Sequence, residues 1–580
     1  MKVKLAKTAG FCMGVRRAME LVLAEANKTE GPIFTYGPLI HNRQVVELLE
    51  SKGIEQVEDI NIPQTGEIAI RAHGIPPQER QAITNKGLTI LDATCPRVAR
   101  VQAIIRYYTG KGYTAVIVGD EDHAEVTGLL GYSKGPAYVI QSVEDVSALP
   151  DMENIFVVAQ TTQNERTFQN IIGALKRRFP HVMVFDTICE ATNQRQQEVS
   201  GFKGQVQAVV VVGGYHSGNT RRLVEVAKES GLPTFHVETE KDIDEKKLSK
   251  IEVVGVTAGA STPSWMIKKV VSKLENIQSP NRLNPVHWIR KLFRFSVLSN
   301  AAVAIGAFCL SWAASLLAGR EPDIIFSTLS SLYIYAMHVF NQFLDKGASI
   351  YNDPERAAFL KKHSCFLIST GISAIMIALI LAYTTGWTAF FVLIGLSLLG
   401  VIYSIPFIPQ RLRNRTRYSK IKDIPGSRSL SEALAWVAVI SILPILAGNS
   451  DARPSILVSI CVVFLVSYAR ALFLDIFQAQ GDLVVGTETL PVIIGEKKTL
   501  LLLNIILCAT GLILMASIVS GIIGMQGYIF ILPLFTLFFS LLAYEKRWFY
   551  PGVISEALVE SNLFLIGLLA FFWYLFPCHL

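Results

Sequence analysis

Long apolar stretches fill the second half of this 580-residue chain, and they constrain its fold more than any other feature. From about Ser296 onward, stretches of roughly 20 residues recur up to the C-terminus, long enough for an α-helix to cross a bilayer. The candidate spans are nine in number and cover residues 296–318, 323–343, 364–384, 387–407, 430–447, 455–475, 499–520, 527–544 and 559–577. The sequence therefore predicts an all-α integral membrane domain of nine transmembrane helices.

Basic residues predict how this domain is oriented. Lysines and arginines concentrate before the first span and in the loops after the second, fourth, sixth and eighth, most densely between Arg411 and Arg428. Because cytoplasmic loops carry the excess of basic residues, these loops are expected in the cytoplasm. The segment Met1–Gly10 lacks the apolar core of a signal peptide, so the first half is expected there too. Nine spans then place the C-terminus outside, in a protein of the cell inner membrane.

The first half differs in composition and predicts a soluble domain. Residues 1–278 carry ordinary charge, and short apolar runs with β character alternate with helix-like stretches, the pattern of an α/β fold. Proline, asparagine and basic residues then mark a linker over residues 279–295, before the membrane domain of residues 296–580. The first half shows no basic patch with interleaved aromatic residues, so nucleic acid is not expected as a partner.

Three cysteines lie in similar frames within the α/β half. Cys12 lies in KVKLAKTAGFCMGV, Cys95 in LTILDATCPRV and Cys189 in VMVFDTICEAT, each after an apolar run and before a helix-like stretch. Spacings of 83 and 94 residues are too large for a local metal knuckle. They suit three related α/β units that each offer one thiolate to a shared centre, in a pseudo-threefold iron–sulfur domain. The alternative is that each cysteine is a small buried apolar residue.

The number of these thiolates indicates what such a cluster would do. Ferredoxin-type clusters take four protein ligands and mainly carry electrons. A cluster held by three thiolates leaves one iron able to bind a substrate. The count therefore favours chemistry at the iron, with a redox sensor or an electron carrier as the alternative.

Short polar motifs beside glycine or proline follow most of the other apolar runs. Parallel strands place binding loops at their carboxyl ends, and glycine-rich turns before helices offer backbone N–H groups to anions. The histidines lie tens of residues apart and lack zinc-finger spacing, which argues against zinc. The motifs and their candidate residues are GPLIHN (His41), RAHGIPP (His73), GDEDHAEVTG (His123 and Glu125), AQTTQ (Thr161), SGNTRRL (Ser217 and Asn219) and AGASTP (Ser261).

Together, and in this order, the cysteines and polar motifs resemble the 4-hydroxy-3-methylbut-2-enyl diphosphate reductase family of the non-mevalonate isoprenoid pathway. The resemblance covers nearly all of residues 1–275. It implies one [4Fe–4S] cluster with Cys12, Cys95 and Cys189 as metal ligands, and an electron donor such as ferredoxin or flavodoxin. It further implies that the substrate's hydroxyl group binds the open iron and leaves as water, which yields isopentenyl and dimethylallyl diphosphate.

The resemblance also implies roles in the site, and the chemistry of the residues agrees with them. Glu125 is the expected proton donor, because a carboxyl group in a closed cavity beside a diphosphate holds its proton more tightly. Thr161 is expected to relay that proton. The residues expected to hold or surround the diphosphate are His41, His73, His123, Ser217, Asn219 and Ser261.

Acidic residues near the ends of two candidate spans resemble a second family. NQFLDKGASIYNDPER and DIFQAQGDLVVGTETLP resemble the two aspartate-rich motifs of the UbiA superfamily of intramembrane prenyltransferases, across residues 290–580. In that family, Mg²⁺ held by these motifs binds the diphosphate of a prenyl donor. The matching residues, and so the expected Mg²⁺–diphosphate ligands, are Asn341, Asp345, Asp475 and Asp482, while Gln342, Ser349 and Gln478 replace family acids.

Two functions are therefore open for the whole chain. The first is a bifunctional isoprenoid enzyme, in which a reductase is fused to a membrane prenyltransferase. The second is a reductase with a catalytically silent membrane anchor or binding domain, because the lost acids weaken any site for two Mg²⁺ ions.

Overall fold

The computed structural model describes residues 1–29, 31–277, 285–344, 349–404, 421–448 and 453–576. The chain divides into two compact units, Met1–Pro280 and Asn281–Leu580. Strands and helices alternate in the first unit, whereas the described residues of the second unit form helices and the turns between them. This division agrees with an α/β half followed by an all-α half.

The strands of the first unit form three four-stranded sheets. The strands are β1 (Lys2–Leu5), β2 (Ile33–Tyr36), β3 (Ile54–Val57), β4 (Glu67–Ile70), β5 (Thr89–Asp92), β6 (Thr114–Val118), β7 (Ala137–Ile140), β8 (Ile155–Ala159), β9 (Met183–Val184), β10 (Ala208–Val212), β11 (Thr234–Val237) and β12 (Val253–Ala258). Their orders are β1-β12-β10-β11, β3-β2-β4-β5 and β7-β6-β8-β9, and neighbouring strands are parallel. These sheets fit the three predicted α/β units, and the first strand of the chain completes the sheet of the last three.

Continuous apolar runs explain why the central strands are buried. β8 reads IFVVA and β10 reads AVVVV, and both are buried along their whole length. Parallel sheets are covered by helices on both faces, so their strands lack an alternation of buried and exposed residues. Separate apolar cores form around the sheets, with Val210, Val157 and Ile68 fully buried in three of them.

Helices connect the strands, and several begin at side chains that cap them. Asn42, Asn164 and Ser217 each accept a backbone N–H from the first turn of the following helix. Such caps satisfy N–H groups that the helix itself leaves unpaired. The α-helices of this unit are Met13–Ala26, Arg43–Glu50, Pro77–Asn85, Pro96–Thr109, Ala124–Leu130, Glu165–Arg178, Glu190–Ser200, Gly218–Glu229, Glu245–Leu248 and Ser264–Asn276.

Close helix packing characterises the second unit. A side chain at Gly567 would clash with Cys309, and one at Gly306 would clash with Leu563, so the helices Ala301–Leu317 and Val553–Leu575 approach closely. Small residues at helix interfaces allow such approach in membrane proteins. The other described α-helices are Pro285–Leu298, Ile324–Leu344, Ser349–Asn352, Pro354–Lys362, Ser364–Thr385, Trp387–Ser404, Ser427–Val437, Leu443–Ala447, Pro454–Val485, Leu490–Ile493, Glu496–Val519 and Ile531–Glu545.

The predicted count of nine membrane spans is not confirmed. Among the described residues, seven helices are long and apolar enough to cross a membrane, when Ser427–Ala447 and Met525–Glu545 are each taken as one continuous helix. An eighth crossing results if Lys291–Leu298 and Ala301–Leu317, which meet at an angle of 74°, count as one span. The apolar helix from Trp387 is shorter, and the basic loop that follows it, residues 405–420, lies outside the described residues. The structure therefore supports an all-α membrane domain of seven to eight candidate spans.

Candidate functional site

One cavity of the first unit gathers residues that follow strands of all three sheets. Cys12 follows β1, Cys95 follows β5 and Cys189 follows β9, and each of these strands lies at the edge of a different sheet. The cavity is lined by every residue predicted for the soluble site, namely Cys12, His41, His73, Cys95, His123, Glu125, Thr161, Cys189, Ser217, Asn219 and Ser261. Residues spread over the whole α/β half thus meet in one place.

Each of the three cysteines is the N-cap of a helix. The helices that follow Cys12, Cys95 and Cys189 are Met13–Ala26, Pro96–Thr109 and Glu190–Ser200. Helix N-termini carry partial positive charge, so each of these thiols lies at the positive end of a helix dipole. The repeated sequence frame therefore corresponds to a repeated structural frame of strand, cysteine and helix.

The surroundings of these thiols fit an iron–sulfur cluster. Gly14 keeps the space beside the thiols open, because a Cβ there would lie 2.5 Å from Cys95 Sγ and 3.9 Å from Cys12 Sγ. Burial raises the pKa of the Cys95 thiol, and the neighbouring Cys12 and Cys189 raise it as well, while two backbone N–H groups lower it. Thiols this close become thiolates together when they share a metal centre. Three sulfur atoms at one open cavity are a donor set for such a cluster.

Three histidine rings also meet in the cavity. The ring centroids of His41 and His73 are 4.9 Å apart, those of His73 and His123 5.2 Å, and those of His41 and His123 5.8 Å. One ligand nitrogen from each lies within 4.8 Å of the others, a separation compatible with a metal ion. Their wide spacing in the sequence therefore does not keep them apart in the fold, and it is a weak argument against zinc.

Burial keeps these imidazoles neutral. It lowers the pKa of His41, lowers that of His73 well below the ordinary value and lowers that of His123 to about 4. Nδ1 of His123 accepts the N–H of Glu125 at 3.1 Å, so the proton of the neutral ring lies on Nε2. A neutral imidazole with its proton so placed can donate a hydrogen bond to an anion in the cavity.

Several buried polar atoms of the cavity have no hydrogen-bond partner among the described residues. They are His41 Nε2, His73 Nδ1 and both polar side-chain atoms of Asn219. Buried polar groups are nearly always paired, so unpaired ones in a cavity indicate a polar ligand. The structure thus leaves hydrogen-bonding capacity where the sequence predicts a diphosphate.

A helix N-terminus adds further donors. Ser217, Gly218 and Asn219 line the cavity at the start of Gly218–Glu229. A Cβ at Gly218 would lie 3.4 Å from His123 Nε2, so the glycine lets this helix end approach the histidine closely. Ser261 Oγ donates to Ser217 Oγ at 3.3 Å or to the carbonyl oxygen of His41 at 3.2 Å. Helix N-termini of this kind bind phosphate groups through their backbone N–H groups.

Glu125 and Thr161 form a buried pair in the same cavity. The Thr161 N–H donates to Glu125 Oε1 at 2.7 Å, and the Thr161 hydroxyl donates to Oε2 at 2.9 Å. Burial raises the pKa of Glu125 to about 7, although both hydrogen bonds lower it. A carboxyl group with such a pKa can both give and take a proton near neutral pH.

Sequence reasoning missed two charged residues that line the cavity, the exposed Arg97 and the buried Arg195. The Nε and Nη2 of Arg195 donate to the carbonyl oxygens of Thr8 and Gly10, at 2.9 Å and 2.5 Å. These bonds connect the helix after Cys189 to the loop before Cys12. The sequence motifs did not indicate Arg195, because its hydrogen-bond partners are backbone carbonyl groups nearly 190 residues away in the chain.

The candidate residues of the membrane unit that the structure describes lie on two long helices. Asp475 and Asp482 belong to Pro454–Val485 and are buried. Asn341 lies near the end of Ile324–Leu344, whereas Asp345 lies outside the described residues. The first motif is therefore only partly described, and the second is described completely.

Comparisons with known proteins cover both halves. Residues 3–275 match the LytB protein family, and residues 302–566 match the UbiA prenyltransferase family. A 4-hydroxy-3-methylbut-2-enyl diphosphate reductase of Opitutus terrae is 43% identical over 287 residues, which are 47% of this chain and 99% of that protein. Its counterpart in Geobacter sulfurreducens is 40% identical over 282 residues, 49% of this chain and all of that protein.

Solved structures resemble each half. The E-1-hydroxy-2-methyl-but-2-enyl-4-diphosphate reductase of Plasmodium falciparum is 31% identical and has a TM-score of 0.46. That match covers 47% of this chain and 88% of the Plasmodium chain. A UbiA homolog of Archaeoglobus fulgidus is 14% identical, with a TM-score of 0.33, and the match covers 47% of this chain and 98% of that one.

Three parallel sheets around one cavity, with one thiol following an edge strand of each sheet, define the class of the first unit as an α/β domain with a donor set for a metal centre. The sequence relatives then fix the family. The chain belongs to the LytB family of 4-hydroxy-3-methylbut-2-enyl diphosphate reductases, and it carries a UbiA prenyltransferase family domain in its second half. The predicted fusion of these two families is confirmed.

Proposed function

We propose that the first unit reduces 4-hydroxy-3-methylbut-2-enyl diphosphate to isopentenyl and dimethylallyl diphosphate. One observation carries this proposal. A single cavity holds three thiols, three neutral histidines and a carboxyl group whose pKa is about 7. The reaction takes up two electrons and two protons, breaks the allylic carbon–oxygen bond, releases the hydroxyl group as water and forms one carbon–hydrogen bond.

The diphosphate is held by neutral donors in this proposal. The unpaired nitrogens of His41 and Asn219, the hydroxyl groups of Ser217 and Ser261 and the N-terminus of Gly218–Glu229 are available for it. Each hydrogen bond to a charged group contributes about 1.5–3 kcal/mol. Several such bonds hold a diphosphate without a lysine.

Glu125 delivers the proton, and Thr161 orients the Glu125 carboxyl group. Both oxygens of the carboxyl group face Thr161, so its position in the cavity is fixed. Near neutral pH the group is about half protonated, because burial raises its pKa to about 7. The threonine hydroxyl connects the carboxyl group to the substrate's oxygen, which leaves as water.

Cys12, Cys95 and Cys189 would hold the [4Fe–4S] cluster that members of this family use. When bound, the cluster supplies two electrons and a Lewis-acidic iron to the carbon–oxygen bond. A small electron-transfer protein such as ferredoxin or flavodoxin would deliver the electrons. Gly14 and Arg195 complete this part of the cavity by keeping space beside the thiols and by connecting the loop of Cys12 to the helix of Cys189.

The second unit is a prenyltransferase domain in this proposal. It lies in the cell inner membrane with nine spans, places the reductase in the cytoplasm and ends outside. The UbiA family match and buried charges inside the helix bundle support a functional site, since ionisable groups within a membrane mark functional sites. A silent anchor is the alternative that the lost acids favour. In this proposal the reductase domain covers residues 1–278, the linker residues 279–295 and the membrane domain residues 296–580.

An anaerobic assay of the full chain with 4-hydroxy-3-methylbut-2-enyl diphosphate and a chemical reductant tests the reductase. We expect isopentenyl and dimethylallyl diphosphate from the wild type. Glu125→Gln should keep its iron and lose about 10²-fold or more in turnover, the range of general acid catalysis. Glu121→Gln, an exposed neighbour, is the control and should match the wild type. Full activity of Glu125→Gln would refute the proton role.

Transfer of label from dimethylallyl or geranyl diphosphate to a lipid extract tests the membrane half. We expect the purified chain to form a labelled lipid, and Asp482→Ala to abolish it while Glu321→Ala, an exposed acid, does not. Absence of transfer by the wild type would favour the silent anchor, and the reductase proposal would stand.

A further inference from the structure

The second aspartate motif of the membrane unit is incomplete in sequence and densely packed in the structure. Asp475 and Asp482 lie on one face of Pro454–Val485 and expose 4% and 0% of their surface. Between them stands Gln478, which replaces a family acid. A Mg²⁺ ion here would need several carboxylate or water oxygens in an octahedral arrangement.

The guanidinium of Arg428 meets all three of these side chains. Its Nη2 donates to Gln478 Oε1 at 2.7 Å. Its Nε lies 3.8 Å from Asp475 Oδ1, and its Nη1 lies 3.5 Å from Asp482 Oδ2. Arg428 is the second residue of Ser427–Val437, a helix that packs along Pro454–Val485. One planar cation thus stands where the two carboxylates converge.

The remaining neighbours also suit an arginine better than a hydrated metal ion. The Asn352 amide donates to the second oxygen of Asp482, Oδ1, at 2.8 Å. Gly481 leaves no room between the helix and Asn352, since a Cβ there would clash with it. An amide at position 478 accepts from the guanidinium but adds no negative charge for a divalent cation. With a guanidinium already facing both carboxylates and an amide at position 478, the described residues of this motif fit an arginine better than the Mg²⁺ that the family implies.

We propose that Arg428 replaces a divalent cation at the Asp475–Asp482 pair, and that a prenyl diphosphate meets an arginine there instead of Mg²⁺. The Arg428 side chain is 33% exposed, whereas Asp475 and Asp482 are buried, so of the three it is the side chain that a ligand can reach. Guanidinium groups bind phosphate oxygens through two parallel hydrogen bonds. The inference rests on the proposed prenyl diphosphate function of the membrane unit.

A Mn²⁺ titration of the full-length protein, followed by electron paramagnetic resonance, tests the cation part. We expect Arg428→Gln to gain a Mn²⁺ site about tenfold or more tighter than any at this motif in the wild type, because two buried carboxylates lose their counter-ion. Arg453→Gln, an exposed arginine before the same long helix, should leave Mn²⁺ binding unchanged. Equal Mn²⁺ binding by wild type and Arg428→Gln would overturn the proposal.

A second variant covers the case in which Arg428→Gln does not fold. If Asp475 and Asp482 bind no divalent cation in the wild type, the single change Asp475→Asn should leave Mn²⁺ binding unchanged. A loss of about tenfold in Asp475→Asn would show that the aspartates hold the metal ion, against the proposal.

Binding of geranyl diphosphate with a chelator present tests the ligand part. The wild type should bind about tenfold more tightly than Arg428→Gln, and Arg428→Lys should fall between them, since lysine keeps the charge and loses the planar pair of donors. The reductase half is identical in these variants, so the difference reports the membrane half. Equal affinity would overturn the proposal. Neither binding titration requires prenyl transfer. A failed transfer assay would therefore contradict the transferase activity but not the proposed role of Arg428.

Discussion

The proposed proton donor, Glu125, predicts how the rate of the reductase depends on pH. Its carboxyl group is protonated below the pKa of about 7 that burial imposes, and it loses the proton above it. If the protonated form gives the proton, kcat of the reductase falls as the pH rises through about 7. Anaerobic rates between about pH 6 and 8 measure this fall. We expect Glu125→Gln to lose the fall along with most of the rate, and Glu121→Gln to keep both.

Gly14 provides a test of the space beside the thiols. A Cβ at Gly14 would lie 2.5 Å from Cys95 Sγ, so Gly14→Ala must displace Cys95 or its helix, at a cost of about 1–3 kcal/mol. We expect this variant to lose most of its iron and sulfide after anaerobic purification. Gly173→Ala is the matched control, because Gly173 is also helical and has nothing within 4 Å of its Cβ position. Full iron content in Gly14→Ala would contradict the prediction.

The sequence predicted cavity side chains whose types suit the proposed chemistry, but it did not predict residues that only shape the cavity. Cys12 and Glu125 stand in motifs whose residue types have a chemical purpose. Gly14 matters only because its helix, which follows β1, lies close to the thiol of Cys95, which follows β5. The sequence does not reveal the distance between the two. His41 and His123 were predicted, but their ring contact depends on loops from separate sheets.

Buried ion pairs connect the helices of the membrane unit. Arg470 of Pro454–Val485 binds Glu560 of Val553–Leu575 through two nitrogens and also Glu432 of Ser427–Val437, and its guanidinium lies 4.8 Å from the centroid of the Trp436 ring. Removing one partner of a buried pair leaves an uncompensated charge and costs about 3–5 kcal/mol. Arg470→Met should therefore lower the thermal unfolding midpoint of the detergent-solubilised chain strongly.

Two further variants separate charge from packing at this cluster. Arg453→Gln, which removes an exposed charge, should leave the midpoint unchanged. Combining Arg470→Met with Glu560→Gln should restore part of the loss, because the second change removes one unpaired charge. An unchanged midpoint in Arg470→Met would mean that this cluster does not stabilise the bundle.

Element positions were predictable wherever one pattern ran without interruption. The strands β8 and β10 are continuous apolar runs, and the structure contains them as buried strands. The first predicted span, residues 296–318, is instead broken at Asn300, whose φ of 65° is left-handed. Apolarity does not reveal this break, because it depends on contacts of the Asn300 amide, which exchanges two hydrogen bonds of 2.9 Å with Gln342.

Over the whole molecule, the number of spans decides on which side of the membrane the chain ends. The described residues give seven spans, or eight with the bent pair, and the short helix from Trp387 would be the ninth. The basic loops lie on one side only if this helix crosses, since an omitted span would place the loops after it on the opposite side. Charge therefore favours nine spans, although length alone does not.

Reporter fusions at the C-terminus measure this directly. With nine spans, alkaline phosphatase, which needs disulfides formed outside the cytoplasm, should be active after Leu580, and green fluorescent protein should be dark there. A chain cut after Gly495, which follows the sixth predicted span, should give the reverse result. Fluorescence at both positions would mean that one helix after Gly495 does not cross. Phosphatase activity after Gly495 together with fluorescence after Leu580 would mean that a span before Gly495, such as the helix from Trp387, does not cross. Every later loop would then lie on the opposite side of the membrane.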